Sequence, residues 1–210
     1  MLHRKYRCEG IGSFLLMPHY MIETFKSYLL QFTEVPEESL QELLDLFQPV
    51  NLAKGEHYAL SGQTAKKLAF VESGLLRAYY QNPEGEQFNK IFFSNPAIVG
   101  AYTSLITKEK NQINIECLTN SKMVETDFQK ILDLYERHPM IERLNRTIAE
   151  DFFVKKEKRE ISLVMNDASE RYALFQREHP GLENQIAQYH IASYLGITPT
   201  QLSRIRAKKG

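Results

Sequence analysis

Between Met21 and Phe47 the apolar residues Ile22, Phe25, Tyr28, Leu29 and Phe32, then Leu40, Leu43, Leu44 and Phe47, stand three or four positions apart, the spacing that gathers them on one helical face. Val35-Pro36-Glu37-Glu38 interrupts the run and places Pro36 near a first turn, so two short helices are predicted. Past Pro49 the period changes. The runs LAFV (68–71), LLRAYY (75–80) and FNKIFF (88–93) are separated by ESG and NPEG and read as strands joined by turns. INIECL (113–118) alternates strictly, which puts Ile113, Ile115 and Cys117 on one side and Asn114 and Glu116 on the other, and SKMVET (121–126) returns after a turn at Thr119-Asn120. Six or more short strands with regular turns predict a compact roll, barrel or sandwich.

Helical spacing then resumes. Thr126 or Asp127 caps FQKILDLYERH, and a second helix starting near Pro139 carries Ile141, Leu144, Ile148 and Phe152 in a narrow stripe. Such a stripe suits either packing on the chain's own strands or pairing with a second copy, and the homodimer seam is the expectation adopted. KKEKRE (155–160) reads as a solvated part of the same helix. Asn166-Asp167-Ala168-Ser169 supplies a break and a fresh N-cap, hence a domain boundary, and His179-Pro180-Gly181 ends the helix that follows.

In the last segment, QYHIASYLGITPTQLSRIRA (188–207), Gly196 divides two helices. Ala192 permits close approach, Gly196 admits the positive φ of a sharp helix end, and Ile191, Leu195, Ile197, Leu202 and Ile205 bury the seam. Thr198 and Pro199 suit the cap and first position of the second helix. Turning Leu202 and Ile205 inward points Thr200, Ser203, Arg204 and Ala207 outward, a small, polar, basic face. Arg204 suits guanine N7 and O6, Thr200 and Ser203 suit base edges or phosphates, and Arg206, Lys208 and Lys209 suit flanking phosphates. With Gln188, Thr198 and Gln201, these are the candidate DNA contacts.

Charge makes this segment stand out. The 210 residues hold 26 basic and 26 acidic side chains, so no global field favours a polyanion, yet four of the last seven residues are Lys or Arg and no acid follows Glu183. Cys8 and Cys117 lie far apart without a Cys-x-x-Cys pair, which fits a reducing cytoplasm and gives no disulfide framework, iron–sulfur cluster or zinc site. No apolar run is long enough to span a membrane. Residues 1–20 are expected to form a disordered tail or to lie upstream of a start at Met17 or Met21. The six histidines, His3, His19, His57, His138, His179 and His190, are isolated in sequence, and neither a phosphate-binding loop nor a nucleophile elbow is present, so no enzyme is indicated.

The layout resembles the Crp/Fnr family of transcriptional regulators from about Met21 onward. KGEHYALSGQTAKKLAFVESGLLRAYYQNPEGEQ (54–87) is similar to that family's cyclic-nucleotide-binding-type roll, LAFVESGLLR being the more diagnostic part, and IASYLGITPTQLSRIR closely resembles its helix-turn-helix. The resemblance implies an α+β chain: an N-terminal β-roll of jelly-roll type with flanking helices (21–138), a long dimerisation helix (139–166), and a winged helix-turn-helix (167–210). It further implies a homodimer that binds double-stranded DNA and, in an activator, a surface that recruits RNA polymerase; no short motif marks such a surface.

Members that bind cyclic nucleotides carry a Gly-Glu pair for the ribose and an Arg followed by Ser or Thr for the phosphate. In SNPAIVGAYTSLITKEKNQINIECL (94–118) Gly100 matches, but Ala101 replaces the Glu, and Asn111-Gln112 stand in place of Arg-Ser. A charge-assisted pair has no neutral equivalent, so tight binding of cAMP or cGMP is not expected and no resident cofactor is assigned. Gly100, Ala101, Tyr102, Thr103, Ser104, Asn111 and Gln112 remain the candidate lining for a different small effector. The alternative to a DNA reader is a ligand-sensing module that acts through protein contacts and keeps a vestigial DNA-binding part.

Overall fold

The computed structural model describes residues 19–208. The reading of residues 1–18 as a tail lies outside the described residues, and His19 and Tyr20 already belong to the first helix. Helices α1 (His19–Leu30) and α2 (Glu37–Asp45) precede a roll of two four-stranded antiparallel sheets. One sheet has the order β1 (Gln48–Leu52), β8 (Ser121–Asp127), β3 (Lys67–Ser73), β6 (Ala97–Val99). The other runs β2 (His57–Ala59), β7 (Asn114–Cys117), β4 (Leu75–Gln81), β5 (Gln87–Ser94), with β5 on an edge. Short α3 (Tyr102–Thr107) lies between β6 and β7.

Of the apolar runs that did not alternate, LAFV and the LLRAY part of LLRAYY are buried on both faces, whereas Phe88 of FNKIFF is exposed on the edge strand. In β3, Ala69 and Val71 enter the space between the sheets, whereas Leu68 and Phe70 meet α1 and α2; Phe25 stacks on Phe70 at 4.4 Å and meets Phe47 edge-on at 4.8 Å. Strict alternation in INIECL has the opposite cause, since Ile113, Ile115 and Cys117 line the interior while Glu116 faces out.

After α4 (Phe128–Leu132), capped by Asp127 and shorter than FQKILDLYERH suggested, comes α5 (Pro139–Met165), 27 residues and about 40 Å long. Here one expectation is corrected. Ile141, Leu144 and Ile148 are buried in the core that α1, α2 and β3 share, with half-buried Phe152 packed against it, so the stripe is satisfied within its own chain. The apolar side chains that α5 leaves exposed are others: Phe153, Val154, Ile161, Leu163, Val164 and Met165.

Asp167 then caps α6 (Ala168–Glu178) in a reciprocal capping box with Glu170. A single 3₁₀ turn (Leu182–Asn184) leads to α7 (Gln188–Leu195) and α8 (Pro199–Ala207), joined at Gly196 with φ +67°. The strands of a wing are not among the described elements, because α8 ends at Ala207 and one described residue follows it. The core of these helices, built on Tyr172, Phe175, Leu182, Ile191, Tyr194 and Leu202, also takes in Leu75 and Phe92 from the outer face of the second sheet. Burial of Leu75 and Phe92 contributes about 1.5–3 kcal/mol each, so residues 168–207 are seated on the roll.

Candidate nucleic-acid interface

Leu202 is fully buried against α7 and thereby orients α8. At about 100° per residue, Thr200, Ser203, Arg204 and Ala207 fall on the far side, and all four are exposed. Gln201 and Thr198 form the cap that starts this helix: Thr198 Oγ1 accepts from the Gln201 amide at 3.1 Å, and Gln201 Oε1 accepts from the Thr198 amide at 2.9 Å. Both oxygens therefore hold the helix end and are committed to it. Arg206 lies only about 40° round the helix from Leu202 and is half-buried on the α6 side. Its charge offsets part of the rise in the Tyr172 phenol, which burial, with Glu183 beside the hydroxyl, pushes up to about 12. Gln188 is exposed at the start of α7 and Lys208 at the end of α8, while Lys209 lies outside the described residues. A shallow open depression lined by Asp167, Ser169, Gln201 and Arg204 separates α8 from the start of α6.

The candidate effector residues do not converge. Gly100 sits where a Cβ would come within 2.9 Å of Leu68, and Ala101 is buried in the roll interior. Ser104 accepts from the Ala65 amide at 2.9 Å and donates to the Glu109 carbonyl, while the Asn111 side chain ties Leu60 and Ile113 together through their backbones. Tyr102 leans edge-on against Phe128 from outside, and Thr103 and Gln112 are exposed. The polar atoms of Ser104 and Asn111 thus hold loops together, a role that sequence spacing does not reveal. Among the described residues no group of three or more His, Cys, Asp or Glu side chains is placed to hold a metal ion, and no helix is long and apolar enough to cross a membrane.

A polar cluster that the sequence reading missed lies where α7 meets the roll. Arg77 of β4 is buried; its Nε and Nη2 donate to Glu116 Oε2 at 2.8 and 2.6 Å, and its Nη1 donates to Asn89 Oδ1 at 3.0 Å and to His190 Nδ1 at 3.2 Å. Asn89 Nδ2 donates to the His190 carbonyl at 2.9 Å. Ser193 Oγ accepts from the Asn89 amide and donates to the Gln87 carbonyl, both at 2.9 Å, so a helix side chain satisfies the open edge of β5. From KKEKRE, only Arg159 turns inward, donating to the Tyr194 carbonyl at 2.7 Å with its guanidinium 3.7 Å above the Tyr194 ring. The one legible signal was Arg77 itself, a charge inside the apolar run LLRAYY.

Residues 49–138 match the family model of the cyclic nucleotide-binding domain. No curated protein sequence matches the chain significantly. Among solved structures, the chain is similar to the c-di-GMP responsive global regulator CLP of Xanthomonas campestris, with a TM-score of 0.66 at 13% identity over 82% of this chain and 91% of that one. FixK2 of Bradyrhizobium japonicum gives a TM-score of 0.68 at 17% identity, covering 77% and 83% of the two chains. For a putative Crp/Fnr-family transcriptional regulator of Eubacterium rectale the values are 0.65 at 16% identity, with 81% and 82% covered. At these identities the likeness is one of fold: an α+β chain with a cyclic-nucleotide-binding-type roll, flanking helices and a long helix, shared with Crp/Fnr regulators.

Proposed function

We propose that the protein is a non-enzymatic, cytoplasmic transcription regulator of the Crp/Fnr type, a homodimer that reads an inverted repeat in double-stranded DNA through α8. The observation that carries this reading is the exposed face of α8. Thr200, Ser203 and Arg204 stand clear of the seam, on a helix started by a complete capping box after a glycine turn, with no acid in the chain beyond Glu183. Arg204 is the base reader and Lys208 the phosphate contact. Arg206, half-buried on the α6 side, remains a flanking phosphate contact in this reading, and Thr198 and Gln201 position the helix. Domain roles follow the sequence expectation, with residues 21–138 sensing, 139–166 pairing and 167–210 reading DNA.

Pairing uses the exposed half of α5. Val154, Glu157, Ile161 and Val164 follow a 3-4-3 spacing, flanked by Phe153, and all five are exposed. Two-fold pairing sets half-sites about one DNA turn, roughly 34 Å, apart. The roll is not a tight cAMP or cGMP receptor in this reading, because neutral Asn111 is already engaged with Leu60 and Ile113 where an arginine would face the phosphate.

The test is selection of bound sequences from a random duplex pool by the purified protein at about 0.15 M salt, with and without cyclic nucleotides. An inverted repeat enriched equally in both arms is expected. Enrichment only with cAMP overturns the account of the roll, and no enrichment in either arm overturns the DNA-reading assignment.

A further inference from the structure

The joint between α7 and the roll contains a titratable group that the DNA-reading face does not use. His190 is 5% exposed, and its Nδ1 accepts from Arg77 Nη1 at 3.2 Å and from Asn89 Nδ2 at 3.3 Å, so the ring's proton sits on Nε2. Charged and titratable groups face it from each element packed there: Arg77 and Tyr79 from β4, Glu116 from β7, Arg159 from α5 by way of Tyr194, and Tyr189 beside it in α7. His57 lies beyond Tyr79, meeting its hydroxyl at 3.1 Å. Glu116 is already bound by two Arg77 nitrogens, which leaves its carboxylate engaged by the first cation when a second would appear.

We propose that His190 is the release catch of this joint: as the neutral ring it docks α7 on the roll, and a proton on Nδ1 sets a second cation against Arg77 and frees the terminal helices from the sheet. A proton on Nδ1 removes both hydrogen bonds that Nδ1 accepts, since each requires a lone pair there. Burial, and then the Arg77 charge, hold the docked ring down to about 4, with Glu116 opposing. The undocked ring returns to about 6.5, so docking is at full strength above that value and weakens about tenfold per pH unit as pH falls from about 6.5 toward 4. Leu75 and Phe92 supply an apolar hold that keeps the docked state dominant at neutral pH. The consequence for DNA rests on the reading above: two α8 helices held at one spacing read two half-sites together, and release uncouples them.

The amide of Asn89 reports the event directly, because it donates to Ser193 Oγ across the joint on the edge strand β5. Its hydrogen-exchange rate is measured by NMR in the intact protein and in His190→Asn, whose side-chain oxygen keeps an acceptor in place of Nδ1 without titrating; their ratio at each pH cancels the intrinsic chemistry. Equal rates are expected at pH 7.5, with the wild type about tenfold faster at pH 5.5. A ratio that stays flat from pH 7.5 to 5 overturns the proposal. Should His190→Asn not fold, the His190 ring is titrated in the wild type: a midpoint well below 6.5 supports the catch, and one at or above 6.5 sinks it. No DNA enters either measurement, so failure to select an operator leaves this result standing.

Discussion

Leu144→Ala and Ile161→Lys separate the buried face of α5 from its exposed one. Leu144 is 2% exposed in the core with α1, α2 and β3. Truncation removes three carbons, about 2.4 kcal/mol at roughly 0.8 kcal/mol each, and the remaining cavity brings the loss to about 3–4 kcal/mol. For a chain of this length, that lowers the melting temperature by about 6–15 °C. Ile161 is 55% exposed, so a lysine there changes the fold's stability by under about 0.5 kcal/mol while placing like charges opposite each other in a paired α5. Urea denaturation and sedimentation velocity are run on both variants. The expected pattern is a destabilised but dimeric Leu144→Ala and a stable but monomeric Ile161→Lys. If Leu144→Ala dissociates the dimer at a cost below about 1 kcal/mol, or Ile161→Lys remains dimeric, the division of the helix into an inner and an outer face is refuted.

Arg204→Ala should weaken binding to the selected operator by about 1–3 kcal/mol and relax preference at one base position, whereas Lys208→Ala should weaken all duplexes alike and reduce the salt slope by about one; competition binding across single-base operator variants distinguishes them. Thr198→Ala removes the acceptor at the start of α8 and should destabilise the terminal helices by about 1 kcal/mol, read by chemical denaturation, while Thr198→Ser retains the cap. Gly196→Ala puts a Cβ on a residue at φ +67°, with an expected loss of about 1–2 kcal/mol by the same measurement.

Features set by local chemistry were readable from short stretches. Pro199 after Thr198, Asp167 before Ala168 and Gly196 between two apolar runs each mark a helix end, and their caps and positive φ appear where those residues stand. Periodicity placed Ile113, Ile115 and Cys117 inside and turned Thr200, Ser203 and Arg204 out, because a residue's side of a strand or helix follows from counting. Which partner covers a face is not encoded in its period. The stripe at Ile141, Leu144 and Ile148 is equally suited to a second copy or to the chain's own roll, and the choice came from where α1, α2 and β3 converge on it. Likewise, nothing local links Arg77 to His190, 113 residues apart, or distinguishes Arg159 from the charges beside it. Their roles arise when sheet and helices bury those groups together, since a buried polar group must find its partner wherever the fold brings one within reach.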